Sequence, residues 1–338
     1  MTTTTPRPGQ SILITGACLI VILAGIKNAQ QLVVPFFLAT FIAILCLPTL
    51  KWLEGRKIPG FLAVIIVINL ALLFGLILAL FIGTSVHDFT LTLPTYQQQI
   101  REETRALFDW LNNYGISISS QVVLDYFDPS AAMKIAANTL SGLGTALTNG
   151  FLILLTVVFI LLEASSMPEK LKQALPNSTS SLDNFTRITY SVQRYLAMKT
   201  LLSAITGLTI TAAMLFLDVD YAILWGLLAF LLNYIPNIGS IIAAVPAVLL
   251  GLVQHGVIIA LIIAGIYVAV NVVIGNMVEP RFMGNRLGLS PLVVFVSLVF
   301  WGWILGPVGM LLSVPLTMIL KIALETTDEW RWLAVLLS

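Results

Sequence analysis

The sequence predicts an all-α polytopic membrane protein with about six full transmembrane helices, two opposed re-entrant hairpins and a small external helical insert. Three observations carry that expectation. Of 338 residues, 58% are hydrophobic and only 10% charged, with a mean hydropathy of +0.99, whereas soluble domains carry roughly 25% charged residues. Six apolar stretches, 11–27, 32–50, 59–86, 148–165, 200–217 and 257–278, approach the length of about 20 residues that crosses a bilayer. Two further stretches, 221–253 and 287–320, contain no Asp, Glu, Lys or Arg and break near their middle at Gly and Pro, which makes eight hydrophobic segments in all.

Residues 1–87 read as an N-terminal transmembrane scaffold. The leading MTTTTPRPGQ carries only Arg7, and no small-x-small pattern follows the first apolar run, so that run is expected to be retained as a span. Lys51, Arg56 and Lys57 lie between the second and third spans, which by the positive-inside rule puts that loop and the N-terminus in the cytoplasm. Residues 88–147 carry six acids (Asp88, Glu102, Glu103, Asp109, Asp125, Asp128) against three bases (Arg101, Arg105, Lys134), as a periplasmic insert should. Within it Pro94 is expected to open a helix that Gly115 ends, and Asp128-Pro129 to open another. Residues 148–199 read as a span followed by a basic cytoplasmic segment (Lys170, Lys172, Arg187, Arg194, Lys199), with charge suited to anionic lipid headgroups. Residues 200–338 are the expected transport core.

The hairpins follow from length. The stretches 221–253 and 287–320 hold 33 and 34 residues. As straight helices at about 1.5 Å per residue they would reach roughly 50 Å, beyond a bilayer; two full spans each would need about 40 residues and a turn. Breaks at NYIPNIGS (233–240) and WGWILGPVG (301–309) suit half-length helices that turn back. Entry of the first hairpin from outside also leaves Arg281, Arg286, Lys321 and Arg331 in the cytoplasm. The two stretches share a pattern, Ile238-Gly239 to Val245-Pro246 and Val308-Gly309 to Val314-Pro315. Broken helices in matching positions of an inverted pair point to a transporter's central site, although shared composition alone gives some likeness.

Much chemistry is excluded. There is no phosphate loop, Gly-x-Ser-x-Gly elbow or His-Glu-x-x-His pair, so an enzyme is not expected. A net charge of +1 makes no case for nucleic acid. Cys18 and Cys46 lie inside apolar runs and form no disulfide framework, and His87 and His255 are too few and too separated for a metal site. No cofactor is implied.

NYIPNIGSIIAAVPAVL (233–249), NVVIGNMVEPRFMGNRLGLSPLVVF (271–295) and FWGWILGPVGMLLSVPLT (300–317) resemble the autoinducer-2 exporter family, and the layout agrees over nearly the whole chain. The resemblance implies an inner-membrane exporter of the quorum-sensing signal autoinducer-2, assembled as a homo-oligomer (a pentamer), with an influence on biofilm behaviour. Some relatives are linked to sodium/proton antiport, which leaves an antiporter as the alternative, and a passive oligomeric pore as a third possibility.

Autoinducer-2 is a small uncharged polyol-like molecule, so its site needs fixed donors and acceptors. Asn233, Pro236, Asn237, Gly239 and Ser240 supply amides, a hydroxyl and freed backbone, although the same residues also make a capped turn. Asn271 and Asn276 are further candidates, or pair with a neighbouring helix. Gly306, Pro307 and Gly309 form the second break, where Trp301 and Trp303 suit either ring stacking or interfacial anchoring. Pro280 is expected to end the helix at Glu279, leaving that carboxylate among unpaired carbonyls with Arg281 and Arg286 as nearby cations. Two roles fit: a clamp that docks a moving unit, or a coupling site for a proton or cation. Asp218 and Asp220 are the other carboxylates an antiporter would use.

Overall fold

The computed structural model describes residues 8–113, 150–164, 167, 170, 179–236, 238–283, 288–326 and 330–338, and every regular element among them is helical. The chain runs α1 (Pro8–Asn28), α2 (Gln30–Gly55), α3 (Gly60–Asn113), α4 (Gly150–Ala164) and α5 (Thr179–Phe216). Then come α6 (Ala222–Leu232), α7 (Ile238–His255) and α8 (Val257–Val270). A π-helical stretch, Asn271–Val278, joins α8 to α9 (Glu279–Met283), and α10 (Pro291–Glu325) and α11 (Arg331–Leu336) end the chain.

Six segments are long and apolar enough to cross a membrane: Gln30–Gly55, Gly60–Ile77, Thr186–Phe216, Ile238–His255, Val257–Arg281 and Pro291–Glu325. Shorter apolar helices, Gly16–Asn28, Gly150–Ala164 and Ala222–Leu232, accompany them. Large apolar side chains such as Phe74, Phe159, Leu208 and Ile258 face outward, the arrangement lipid rewards and water penalises. The chain is a multi-pass membrane protein.

α2, α3 and α4 share one core built on Ala39, Ala43, Val64, Val67, Val157 and Leu161. Ala39 and Ala43, four apart on one face and fully buried, let the helices approach closely. α3 is a single helix of 54 residues that passes through Pro94, so the separate helix expected to open there is not formed. The missing N–H at Pro94 removes one backbone bond. Side chains on either side hold the helix through it: Thr92 Oγ1 meets Tyr221 OH at 3.1 Å, and Tyr96 OH donates to Asp220 Oδ2 at 3.3 Å. Gly115 and the Asp128-Pro129 helix start lie outside the described residues.

Both broken stretches fold back on themselves. α6 and α7 form the first hairpin, with arms of 11 and 18 residues rather than two equal halves. The longer arm reaches about 27 Å, enough to cross the hydrocarbon. The arms close because Gly239 sits directly on the Leu232 carbonyl, where any Cβ would overlap it. In α10 the break is Gly306, at φ 67° and ψ −152°, a conformation open to glycine at little cost. The second hairpin repeats the contact: Gly309 lies on the Trp301 carbonyl, and Trp301 Nε1 donates to Thr317 Oγ1 at 3.0 Å. In a straight helix residues 301 and 317 would stand about 24 Å apart.

α5 carries both hairpins. Its Gly207 faces Gly226 of α6, and Gly207 Cβ would stand 2.7 Å from the Gly226 carbonyl oxygen. The base of the first hairpin lies at the C-terminal end of α5, where Gln254 Nε2 donates to Asp220 Oδ2 at 2.5 Å and His255 Nε2 meets the Asp218 carbonyl at 2.9 Å. The second hairpin ends at the other end, where Arg187 Nη2 pairs with Glu325 at 3.1 Å. Residues 187 and 218 are about 45 Å apart along the helix, so the two hairpins are based at opposite ends of α5.

Two outcomes are expected. Gly226→Ala would drive a methyl into Thr211 Oγ1 and the Gly207 carbonyl and should destabilise the fold by about 2 kcal/mol. Gly265→Ala, with open space around it, should be neutral or slightly stabilising. Thermal unfolding in detergent compares them; equal melting temperatures would refute the close α5–α6 contact. At the hairpin base, beyond the apolar part of α3, burial first and then Tyr221 push the Tyr96 phenol up to about 12. Because its folded value lies above that of a free phenol, its contribution is full below pH 10 and disappears as pH rises through 12. Tyr96→Phe should therefore flatten the melting curve over that window relative to wild type.

Candidate functional site

The tip of the first hairpin is held by a polar stripe on α5. Lys199, Ser203 and Thr206 recur at helical spacing, and all three are buried. Asn233 Nδ2 donates to Ser203 Oγ at 3.0 Å, while Thr200 Oγ1 and Tyr234 OH share a 2.6 Å hydrogen bond. Pro236 lies in the turn, where the Ile235 N–H donates to the Leu232 carbonyl at 2.8 Å. The tip's amides are thus tied to the helix beside it. Asn237 lies outside the described residues.

Opposite this tip the chain changes its helical repeat. From Asn271 to Val278 it is π-helical, and the Glu279 N–H donates to the Ile274 carbonyl five residues back. The helix therefore does not stop at Glu279, which has φ −54° and ψ −49°. The wider turn relieves the steric demand of Pro280 and lets α9 continue. Such π stretches are rare and recur at functional sites.

Thr206, Asn233, Ser240, Tyr267, Asn271 and Gly275 line a cleft between α5, the hairpin tip and the π-helical stretch, with Ala229, Val270 and Ile274 completing its walls. Gly275 leaves room for the Asn271 amide, whose Oδ1 lies 3.1 Å from where a Cβ would stand. The cleft is tight: about 10 Å³ is open to a water-sized occupant, room for a single water. A solute of several carbons enters only if the hairpin and the π-helical stretch move apart.

One helical turn along α5, Lys199 Nζ lies 2.7 Å and 2.8 Å from the two carboxylate oxygens of Glu279. The Lys199 side chain is 4% exposed and that of Glu279 20%. This corrects one expectation. Glu279 is clamped by Lys199, not by the neighbouring arginines: Arg281 is exposed and makes no ion pair among the described residues, and Arg286 lies outside them. Lys199, read in the sequence only as part of a basic segment, is buried within the long helix α5.

Of the residues singled out in the sequence, the fold brings Asn233, Ser240 and Asn271 into one cleft, with Pro236 and Gly239 shaping its tip. Asn276 is exposed and does not line it. Pro307 and Gly309 belong to the second tip, which meets the α1–α2 turn: a Cβ at Gly306 would lie 2.9 Å from Gln30 Nε2, and Lys27 Nζ sits 4.0 Å over the Trp303 ring. Asp220 is engaged by Gln254 and Tyr96, at the hairpin base. Sequence reasoning missed Lys199, Ser203, Thr206 and Tyr267. The signal for three of them was present: one lysine leading an apolar span, with Ser four and Thr seven residues on.

Comparison with known proteins bears on this arrangement. Residues 17–329 match the model of the AI-2E family transporters. The AI-2 transport protein TqsA of Escherichia coli (strain K12) is 45% identical over 330 residues, 98% of this chain and 96% of its own length. A protein of Haemophilus influenzae is 40% identical over 95% of this chain and 94% of its own length, and E. coli YhhT is 39% identical over 99% and 97%. With that match spanning both hairpins and the cleft at the first one's tip, the chain belongs to the AI-2E family of transporters, and its role is transport rather than catalysis.

Proposed function

We propose that this protein is a secondary transporter that exports autoinducer-2 across the bacterial inner membrane by alternating access. The observation that carries the proposal is the cleft: amides and hydroxyls gathered at a hairpin tip and a π-helical interruption, inside segments that are otherwise apolar. Interrupted helices that meet around polar groups are how transporters build substrate sites. The identity to TqsA, which is named for AI-2 transport, supports the substrate.

In this scheme the N-terminal helices 1–87 are the scaffold, with the N-terminus cytoplasmic and the 88–147 segment periplasmic. The core, 200–338, moves against that scaffold. The two hairpins re-enter the membrane from opposite faces, which agrees with their bases at opposite ends of α5. Assembly as a homo-oligomer, a pentamer by family resemblance, would fix the scaffold while the core moves. Lys199 and Glu279 act as the clamp of the closed conformation, joining α5 to the end of the π-helical stretch on one side of the cleft.

The buried ion pair also favours a second role, cation or proton coupling, since ionisable groups within spanning segments commonly mark ion pathways. A cation would have to displace Lys199 to reach Glu279, which makes the clamp the better account. Direct measurement separates the two. Purified protein in proteoliposomes should show saturable uptake of labelled autoinducer-2, lowered at least tenfold by Asn271→Ala. If no autoinducer-2 moves while a sodium gradient alone shifts internal pH, the antiporter is the correct function.

The clamp has its own expected outcome. Lys199→Met should cost about 3 kcal/mol, because it strands a buried carboxylate. Adding Glu279→Gln should recover most of that loss, a non-additivity that double-mutant melting measures. Additive losses would mean that the pair carries no coupling.

A further inference from the structure

We propose that Thr206 and Tyr267 form a hydroxyl-reading pair: their side-chain oxygens bind the hydroxyl groups of an uncharged, polyhydroxylated solute in the cleft. The inference rests on the transport function above and specifies the chemistry by which the site selects its cargo. Thr206 stands on α5 and Tyr267 on α8, and both line the cleft. They are 8% and 5% exposed, and Thr206 Oγ1 and Tyr267 OH are buried with no hydrogen-bond partner among the described residues.

A buried hydroxyl without a partner is costly, so native proteins seldom keep one without a use. Thr206 had an easy alternative. In spanning helices a threonine commonly donates to the carbonyl four residues back, and Thr40, Thr156, Thr200 and Thr209 all do so here. Thr206, three residues from Thr209 on the same helix, makes no such bond. The neighbouring polar groups are already committed: the Asn233 amide to Ser203, Tyr234 to Thr200, and Lys199 to Glu279. Beside the Asn271 amide, the cleft holds two buried hydroxyls without a partner among the described residues, each able to donate and to accept. That set suits the hydroxyl groups of a neutral polyol and offers no net charge to an anion or a cation. A diol bridging them would also tie α5 to α8, linking occupancy to the separation of the helices that must part for entry.

The test uses the full-length protein in detergent, with binding followed by calorimetry and folding by thermal unfolding. The probes are autoinducer-2, an analogue lacking one of its hydroxyls, and ribose and erythritol as unrelated neutral polyols. Tyr267→Phe and Thr206→Val delete only the hydroxyl from a closely matched shape. Each is expected to weaken autoinducer-2 binding about tenfold, to leave the melting temperature of the ligand-free protein unchanged or higher, and to leave affinity for one deoxy analogue unaltered. Retention of wild-type affinity and uptake by both variants would overturn the pair while transport stands. If wild type ignores autoinducer-2 yet binds ribose or erythritol through both hydroxyls, the pair stands and the proposed substrate falls. A lowered melting temperature for ligand-free Tyr267→Phe would assign the hydroxyl to the fold and overturn the inference, as would failure of wild type to bind any of the polyols.

Discussion

Two backbone contacts set the geometry on which the rest of this protein depends. In each hairpin a carbonyl oxygen occupies the place where a side chain would otherwise stand, Leu232 against Gly239 and Trp301 against Gly309. Apolar surroundings leave an interrupted helix few ways to satisfy its backbone, so a chain that turns back there must do so tightly. Both turns solve this with a glycine directly after the break and a packed arm beyond it. The Pro236 turn and the left-handed Gly306 are different ways of reaching the same close approach.

Once the first hairpin is closed, its tip meets α5 at one level, and polar groups that are scattered in the chain gather there. Asn233 reaches Ser203, Tyr234 reaches Thr200, and Ser240 faces the cleft beside Thr206. The π-helical stretch answers from the other side, presenting Asn271 to the cleft and Glu279 to Lys199. The ordering is economical: one change of helical repeat turns both an amide and a carboxylate toward α5. Small residues let the helices approach closely enough for this, as the Gly207–Gly226 contact shows. The cleft has room for no more than a water, and the ion pair lies about one helical turn away along α5.

At the far end of α5 the hairpin base is bound to α3 through Tyr96, Asp220 and Gln254. This network joins the first hairpin to the 54-residue helix α3. Asp220, one of the carboxylates an ion pathway would need, is engaged there in hydrogen bonds.

The linear order of residues was enough to determine the class of protein and the two breaks, but not which apolar helices reach spanning length: Ile238–His255 and Pro291–Glu325 do, while Gly16–Asn28 and Gly150–Ala164 are shorter. Class and breaks rest on local quantities: runs of apolar residues, the length a bilayer demands, and Gly and Pro where a helix must yield. Candidate residues inside the first break were legible for the same reason, and Asn233, Ser240 and Asn271 do share a cleft. What only the tertiary structure decided was partnership. Glu279 lies two residues from Arg281 in sequence yet pairs with Lys199, because the π-helical stretch changes which face it presents and α5 delivers the lysine from a distant part of the chain. Pro94 and Pro280 read as helix ends, but packing on the hairpin base and a widened turn carry the helices through them. Tyr267 gave no sign in the chain, and the spacing of Thr206 from Lys199 did not show that its hydroxyl lacks a partner, since a hydroxyl becomes conspicuous only when burial removes water and no neighbour replaces it.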